Sequence, residues 1–192
     1  MSRFHEVRFL TSAAAAGQFP PDAGAEVAFA GRSNAGKSSA INAITQRRGL
    51  ARTSKTPGRT RLLNFFELAP AKRLVDLPGY GYASVPAAAR RTWLPLIDAL
   101  RERASLIGLF LIVDARRGLT PGDAGLLEWI GPHHRVHVLL SKADKLSRAQ
   151  GAAALRKASQ QLAGRATAQL FSAVKGTGVA EAGETLAGWL GT

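Results

Sequence analysis

A glycine-rich segment between a predicted strand and a predicted helix constrains the fold of this chain more than any other feature. Residues 31–38 have the pattern G-x-x-x-x-G-K-S; the apolar run 26–30 precedes them, and a segment with apolar residues at helical spacing follows. Glycines let such a loop curl so that successive backbone N–H groups point at phosphate oxygens, and the next helix adds its positive N-terminal end. The segment 31–38, called the P-loop below, therefore predicts a nucleoside triphosphate site.

The chemistry of the P-loop assigns a role to its last two side chains. Lys37 is expected to reach the β- and γ-phosphates as a point charge, and the Ser38 hydroxyl is expected to bind Mg²⁺. Nucleotide contacts are also predicted for the other members of the P-loop, namely Gly31, Arg32, Ser33, Asn34, Ala35 and Gly36.

Length and composition favour one cytoplasmic domain. The chain has 192 residues and no cysteine, so disulfides, thiolate catalysis and cysteine metal sites are excluded. The longest strongly apolar run, residues 106–113, has the length of a buried strand and is too short to cross a membrane. Residues 9–16 resemble a signal peptide only weakly, and we expect an N-terminal arm packed on the domain edge. We expect a monomer without a transmembrane segment.

The net charge of +13 is larger than solubility requires. Clustered arginine and lysine displace counterions from phosphate backbones, so a nucleic acid or another polyanion is a predicted partner. A generally basic, solvated surface remains the alternative interpretation. Two segments beside the predicted nucleotide site, residues 47–61 and 90–103, are rich in these cations.

A long polar loop separates the first helix from the next strand, which is predicted at residues 62–68. Loops of this length inside a compact domain are usually functional. Thr60 lies just before the strand, where its hydroxyl can reach Mg²⁺ and the γ-phosphate; Thr53 and Thr56 are the alternatives. The nucleotide contacts predicted here are Gly58, Arg59, Thr60, Arg61 and Leu62.

A carboxylate ends the following strand, which is predicted at residues 73–75. Asp76 can hold Mg²⁺ directly or through water, and the Gly79 N–H can contact the γ-phosphate and sense its loss. A plain turn would explain this sequence if it stood alone. After a P-loop we predict nucleotide contacts from Asp76, Leu77, Pro78 and Gly79.

Two later segments predict that the base is guanine. Residues 141–144, called the guanine motif below, follow a buried strand, and Asp144 can accept both N1–H and the exocyclic amine of guanine, a pairing that adenine does not offer. The Ala173 N–H can donate to guanine O6. The contacts predicted for the base and ribose are Ser141, Lys142, Ala143, Asp144, Phe171, Ser172 and Ala173.

Strands and helices alternate along the chain. Six strands are predicted, at residues 26–30, 62–68, 73–75, 106–113, 136–140 and 168–171. The connections between them include helices predicted at about 37–45 and 147–162, and a last helix is predicted at about 178–190. Such alternation predicts an α/β fold with a mostly parallel six-stranded sheet and helices on both faces. A ligand then binds at the carboxyl ends of the strands.

The segments GRSNAGKS, PGRT, DLPG, SKAD and FSA resemble, in this order, the five motifs of a guanine-nucleotide-binding domain. From about residue 26 onward the chain resembles the EngB family of bacterial GTPases, in the TrmE-Era-EngA-EngB-septin-like superfamily, and the run DLPGYGYA is its most specific part. The resemblance implies a three-layer, Ras-like G domain at residues 25–192 with one antiparallel edge strand, after an N-terminal extension at 1–24. It also implies GTP and GDP as ligands, and a role in assembling the 50S ribosomal subunit from rRNA and ribosomal proteins, with effects on cell division and septation.

Two positions depart from the patterns of related GTPases. The guanine motif begins with Ser141 in place of asparagine or threonine, and the serine hydroxyl is expected to keep the bond that braces the P-loop. Tyr80 replaces the glutamine that orients water in Ras-like proteins, which predicts slow intrinsic hydrolysis. Residues predicted to support catalysis are Lys37, Asn34, Thr60 and Gly79.

The missing positive charge at the transition state has more than one predicted source. Asn34 matches a potassium-binding asparagine of related GTPases, although an asparagine chosen for a left-handed turn is the alternative. Arg59, Arg61 or a ribosomal group are the other candidates. Two other functions compete with a GTPase switch: an ATP-dependent kinase, which the guanine motif disfavours, and a non-catalytic GTP sensor that docks on a membrane or division protein.

Overall fold

A computed structural model describes residues 4, 6–51, 62–80 and 87–192, and of residues 87–93 only the backbone. In these parts of the chain the strands are β1 Arg8–Ala13, β2 Ala25–Gly31, β3 Leu63–Ala69, β4 Lys72–Asp76, β5 Leu106–Asp114, β6 Arg135–Ser141 and β7 Thr167–Leu170. The α-helices are α1 Lys37–Ile44, α2 Ala87–Arg101, α3 Pro121–Ile130, α4 Arg148–Leu162 and α5 Val179–Leu190. Short 3₁₀ turns cover Ala16–Gln18 and Ala143–Lys145.

One sheet contains all the described strands in the order β1-β3-β4-β2-β5-β6-β7. The five strands from β4 to β7 are parallel, whereas β3 runs antiparallel to both β4 and β1. The α/β class and the mostly parallel sheet are confirmed. The predicted count of six strands, with one antiparallel strand at an edge, is wrong, because β1 adds a seventh strand outside the antiparallel β3.

The seventh strand comes from the N-terminal segment, which was expected to pack on the domain edge. Its Phe9 ring contacts Phe66 of β3 edge-on at 5.9 Å between centroids, and Ala13 is fully buried. The sequence alternation in residues 8–13 is too weak to predict a strand. Pairing with β3 nevertheless satisfies backbone groups that an open sheet edge would leave exposed.

Helices cover both faces of the sheet and bury its apolar side chains. On one face α1 and α5 pack through Ile41 and Leu186, and on the other α2, α3 and α4 pack through residues such as Leu100, Leu127 and Leu162. The three-layer architecture places the carboxyl ends of the parallel strands, and therefore the predicted nucleotide motifs, along one edge. Among the described residues, no helix has both the length and the apolar character needed to span a bilayer.

Candidate nucleotide-binding site

The backbone of the P-loop has the conformation that a phosphate-binding turn needs. Asn34 has φ of 65° and Gly36 has φ of 102°, both in the left-handed region, and α1 begins directly afterwards at Lys37. At Gly31 a Cβ would come within 2.7 Å of the Ile112 carbonyl oxygen, so the strand can approach β5 closely only with glycine. The left-handed turn accounts for asparagine at position 34 on conformational grounds, and a potassium role for its side chain stays a prediction.

A lysine and a carboxylate meet at the base of the P-loop. The Lys37 ammonium donates to Asp76, which ends β4 beside Phe29 of β2. Both side chains are nearly buried, at 12% and 8% exposure. Burial raises the pKa of Asp76, and the neighbouring Lys37 charge acts in the opposite direction. The structure thus brings together two residues that the sequence assigned to phosphate and to Mg²⁺.

The residues Ser38 and Asp76 have the donor chemistry for a magnesium ion. A hydroxyl in the first turn of α1 and a buried carboxylate at the end of the adjacent strand are hard oxygen ligands, which Mg²⁺ prefers. A divalent charge beside Asp76 would also offset the cost of burying this carboxylate. These residues therefore fit the ion, and their role as its ligands stays a prediction.

Gly79 lies directly against the P-loop. A Cβ on Gly79 would come within 2.8 Å of the Ser33 Oγ and 3.2 Å of the Ser33 Cα. The backbones are also hydrogen-bonded, since the Ser33 N–H donates to the Tyr80 carbonyl at 3.0 Å and the Tyr80 N–H donates to the Gly31 carbonyl at 3.3 Å. The chain after β4 therefore runs along the P-loop, and Leu77 and Pro78 connect it to Asp76.

Ser141 braces the P-loop from the neighbouring strand. Its hydroxyl donates to the Ala35 carbonyl, with the Val113 carbonyl also within 3.1 Å, and the residue is only 3% exposed. The bond that was expected to survive the change from asparagine or threonine to serine is therefore present.

Lys142 makes a second connection between the guanine motif and the P-loop. Its backbone is left-handed, with φ of 58°, and its ammonium donates to the Asn34 carbonyl at 2.6 Å and to Asp114 at 3.0 Å. Asp114 also accepts three hydrogen bonds from Arg116, two from its guanidinium and one from its backbone N–H. Those bonds, together with the one from Lys142, hold the pKa of Asp114 well below its usual range. No local pattern in the sequence indicated that Asp114 anchors Lys142.

The last two motifs are tied to each other. The Ser172 hydroxyl donates to the Asp144 carboxylate at 2.7 Å, and the Ala143 N–H donates to the Phe171 carbonyl at 3.1 Å. The bond from Ser172 lowers the pKa of Asp144 and so favours the ionised carboxylate, the form that can accept two hydrogen bonds. Ala173 follows directly, so the residues predicted to read the guanine base lie side by side; the base contacts themselves stay predictions.

Tyr80 is held by α3. Its hydroxyl donates to Asp123, a buried residue that also accepts hydrogen bonds from the Thr120 N–H and hydroxyl. Burial and the Asp123 carboxylate raise the pKa of Tyr80, so this side chain acts as a neutral hydrogen-bond donor. The sequence identified Tyr80 only as a missing glutamine and gave no signal for its partner on α3.

Part of the predicted site lies outside the described residues: Gly58, Arg59, Thr60 and Arg61. The contacts predicted for them stay predictions. Leu62 is described and is 37% exposed just before β3. A cavity of about 410 Å³ adjoins the P-loop on the side of α3, and Arg32, Asn34, Tyr80 and Lys142 are among its lining residues.

A family model and the sequences of known proteins both match this chain as a GTP-binding protein. A family model described as 50S ribosome-binding GTPase matches residues 26–142. The chain is 54% identical to the probable GTP-binding protein EngB of Thiobacillus denitrificans, over 97% of this chain and 92% of that protein. It is 52% identical to the probable GTP-binding protein EngB of Aromatoleum aromaticum, over 100% of this chain and 91% of the relative.

Solved structures share the fold. The crystal structure of a probable GTP-binding protein engB superposes with a TM-score of 0.69 at 22% identity, covering 86% of this chain and 98% of that one. Era in complex with MgGDPNP and a segment of 16S ribosomal RNA superposes with a TM-score of 0.66 at 20% identity, over 86% of this chain and 56% of Era. At this level of identity the two structures support the architecture of the domain.

Proposed function

Because the chain belongs to the EngB family of GTP-binding GTPases, we propose that it is a Mg²⁺-dependent switch in the assembly of the large ribosomal subunit. In this proposal the protein is a cytoplasmic monomer that binds a 50S precursor, made of rRNA and ribosomal proteins, in the GTP form and leaves after hydrolysis. Normal cell division and septation depend on this role. The description of the matching family model, which names 50S ribosome binding, supports the choice of partner.

The close contact between Gly79 and the P-loop carries the proposal of a switch. A segment that lies against Ser33 and shares backbone hydrogen bonds with the P-loop responds directly to what the P-loop holds. A γ-phosphate that accepts from the Gly79 N–H would favour one position of this segment, and its loss would release it. The position of the segment then reports the state of the nucleotide to a partner.

Guanine selectivity follows from the connected motifs. The Ser172 hydroxyl orients the Asp144 carboxylate by donating to it, and Lys142 and Ser141 fix the guanine motif against the P-loop. An adenine ring would leave the Asp144 carboxylate without its donors, which is costly in a site closed by a bound base. We therefore propose that GTP and GDP bind and that ATP is rejected.

Mg²⁺, when bound, would neutralise charge on the phosphate oxygens; Ser38, Asp76 and Thr60 are its proposed ligands. The residues of the chain supply the remaining functions. Lys37 would leave Asp76 and move to the phosphates, since these carry more negative charge than one carboxylate. The P-loop N–H groups and the first turn of α1 would hold the β-phosphate.

We propose that hydrolysis is slow in the isolated protein. Tyr80 donates to Asp123 on α3 and cannot orient an attacking water in the manner of a glutamine. A positive group supplied at the transition state is worth about 10³ to 10⁵ in rate. Potassium held beside Asn34, a ribosomal group, or Arg59 or Arg61 would provide this charge.

The test is GTP turnover with and without purified 50S subunits, each measured in K⁺ and in Na⁺, together with cosedimentation. We expect slow turnover alone, at least tenfold stimulation by 50S subunits, and cosedimentation with a GTP analogue that is lost with GDP. Equal rates in K⁺ and Na⁺ with 50S subunits present would remove potassium from the proposal. If 50S subunits neither stimulated GTP turnover nor cosedimented with the protein, the ribosomal role would be rejected and the non-catalytic GTP sensor would be favoured. The Tyr80 contact to α3 is also compatible with a GTP sensor.

A further inference from the structure

A basic groove lies at the opposite end of the sheet from the nucleotide motifs. It has a volume of about 490 Å³ and opens where β5 and β6 begin. Its lining includes Arg101, Arg103, His133, His134, Arg135 and Trp189. β5 extends from Leu106 to Asp114, so at about 3.3 Å per residue the groove is about 25 Å from the nucleotide motifs.

Two arginines give the groove its available positive charge. Among the described residues, no carboxylate lies within 4.0 Å of the Arg101 or Arg135 guanidinium, and Arg101 donates to the Trp129 carbonyl. Arg103 differs from them, because it is held by the buried Glu26 through bonds of 2.7 and 2.9 Å. Arg103 therefore forms part of the wall of the groove, while Arg101 and Arg135 can bind an anion.

Trp189 supplies a rigid aromatic surface beside these charges. Its ring covers Gly108, where a Cβ would come within 2.6 Å of the ring, and it packs on Phe110 at 5.2 Å between centroids. Gly108 pairs with Arg135 in the sheet, so the Trp189 ring lies over the strand position next to Arg135. The ring is fixed from behind, half-buried, and part of the groove lining.

Arginines beside a fixed aromatic ring are the combination that binds single-stranded nucleic acid, because phosphates pair with the cations and a base stacks on the ring. We propose that this groove binds single-stranded RNA, with a base stacked on Trp189 and flanking phosphates held by Arg101 and Arg135. The site goes beyond the proposed switch, since it needs no residue of the nucleotide motifs. Because the groove is about 25 Å from the nucleotide motifs, we expect its affinity for RNA to be the same in the GDP and GTP forms.

The experiment measures fluorescence anisotropy of a labelled single-stranded 12-nucleotide RNA with the full chain, loaded with GDP or with a GTP analogue. The test variant combines Arg101→Gln with Arg135→Gln. The matched control combines Arg148→Gln with Arg156→Gln, which removes the same charge from exposed positions on α4. Melting curves and GDP binding establish that each variant is folded, and the single variant Arg135→Gln serves if the pair is unstable.

We expect the test pair to bind RNA at least about tenfold more weakly and the control pair within about threefold of the parent. The slope of log affinity against log salt should fall by about 1.4, since each phosphate contact to a single strand contributes about 0.7. Trp189→Leu, which keeps an apolar cover on Gly108, should weaken binding about fivefold or more without changing this slope.

Two results would overturn the proposal. One is equal loss of RNA binding in the test and control pairs, which would show that only net charge matters. The other combines two observations: sodium polyphosphate of equal charge displaces the labelled RNA as effectively as unlabelled RNA does, and Trp189→Leu binds RNA as tightly as the parent. The groove would then be a general anion site. Neither result bears on 50S-stimulated GTP turnover, so the two proposals fail independently.

Discussion

Replacing Ser141 by alanine isolates one contact on which the nucleotide site depends. The hydroxyl donates to the Ala35 carbonyl inside the P-loop, and the residue is only 3% exposed. In Ser141→Ala this carbonyl keeps its burial and loses its donor from the guanine motif. Loss of one partner in a buried hydrogen bond costs about 1–3 kcal/mol.

The lower half of that range sets the expected magnitude, because the single Ser141 hydroxyl hydrogen is shared between the Ala35 carbonyl and the Val113 carbonyl at 3.1 Å, which weakens its bond to Ala35. For a domain of this size about 1 kcal/mol corresponds to about 2–4 °C in melting temperature, so a loss of about 1–2 kcal/mol should make Ser141→Ala melt about 2–8 °C below the parent. GDP and GTP should both bind about threefold to tenfold more weakly. The effect is equal for both because the P-loop holds the phosphates that the two nucleotides share.

Fluorescent GDP titration, competition with unlabelled GTP and thermal melting measure these quantities. Ser159→Ala is the matched control, since it removes an exposed hydroxyl from α4 and should change neither property. Ser141→Thr retains the hydroxyl and should retain most of the nucleotide affinity. If Ser141→Ala bound and melted like the parent, the brace between the guanine motif and the P-loop would have no functional weight.

Two further variants test neighbouring contacts. Asp114→Asn weakens the anchor of Lys142 and should lower the melting temperature at pH 7. The pKa of Asp114 is lowered on folding, so its ionised carboxylate stabilises the folded state at pH values above its unfolded pKa near 4, and this stabilisation is lost as the pH falls further. The difference in melting temperature between Asp114→Asn and the parent should therefore shrink at pH 3. A difference that stayed constant between pH 7 and pH 3 would contradict this. Gly79→Ala places a Cβ 2.8 Å from the Ser33 Oγ. This variant should hydrolyse GTP at least about tenfold more slowly, while its affinity for GDP changes less than about threefold. Equal losses in GTP turnover and in GDP affinity would contradict a switch role for this segment.

The elements that hold the nucleotide motifs were predictable from the sequence. The P-loop and the guanine motif each directly follow a buried apolar strand, and the strands observed at Ala25–Gly31, Leu106–Asp114 and Arg135–Ser141 agree with the predicted ones to within a residue or so. Ser147, where this helix was predicted to begin, caps α4 by accepting a hydrogen bond from the Gln150 N–H through its side chain. Local pattern and motif order suffice here because both depend on residues close in the chain.

Long-range partners were not predictable. Asp114 and Lys142 are 28 positions apart, and Tyr80 and Asp123 are 43 apart, so no local pattern connects them. The strand β1 was missed for a related reason, since its stability comes from pairing with β3 more than from its own alternation. Contacts of this kind become visible only when the fold brings the segments together.

Competition between GTP and ATP for the same site tests the central claim most directly. The parent protein is loaded with fluorescent GDP, and unlabelled GTP or ATP is titrated against it in the presence of Mg²⁺. The pairing of guanine with Asp144 predicts that GTP displaces the probe at concentrations at least about a thousandfold below those needed with ATP. Displacement by ATP at the same concentrations as GTP would contradict the assignment of this chain as a guanine-nucleotide switch.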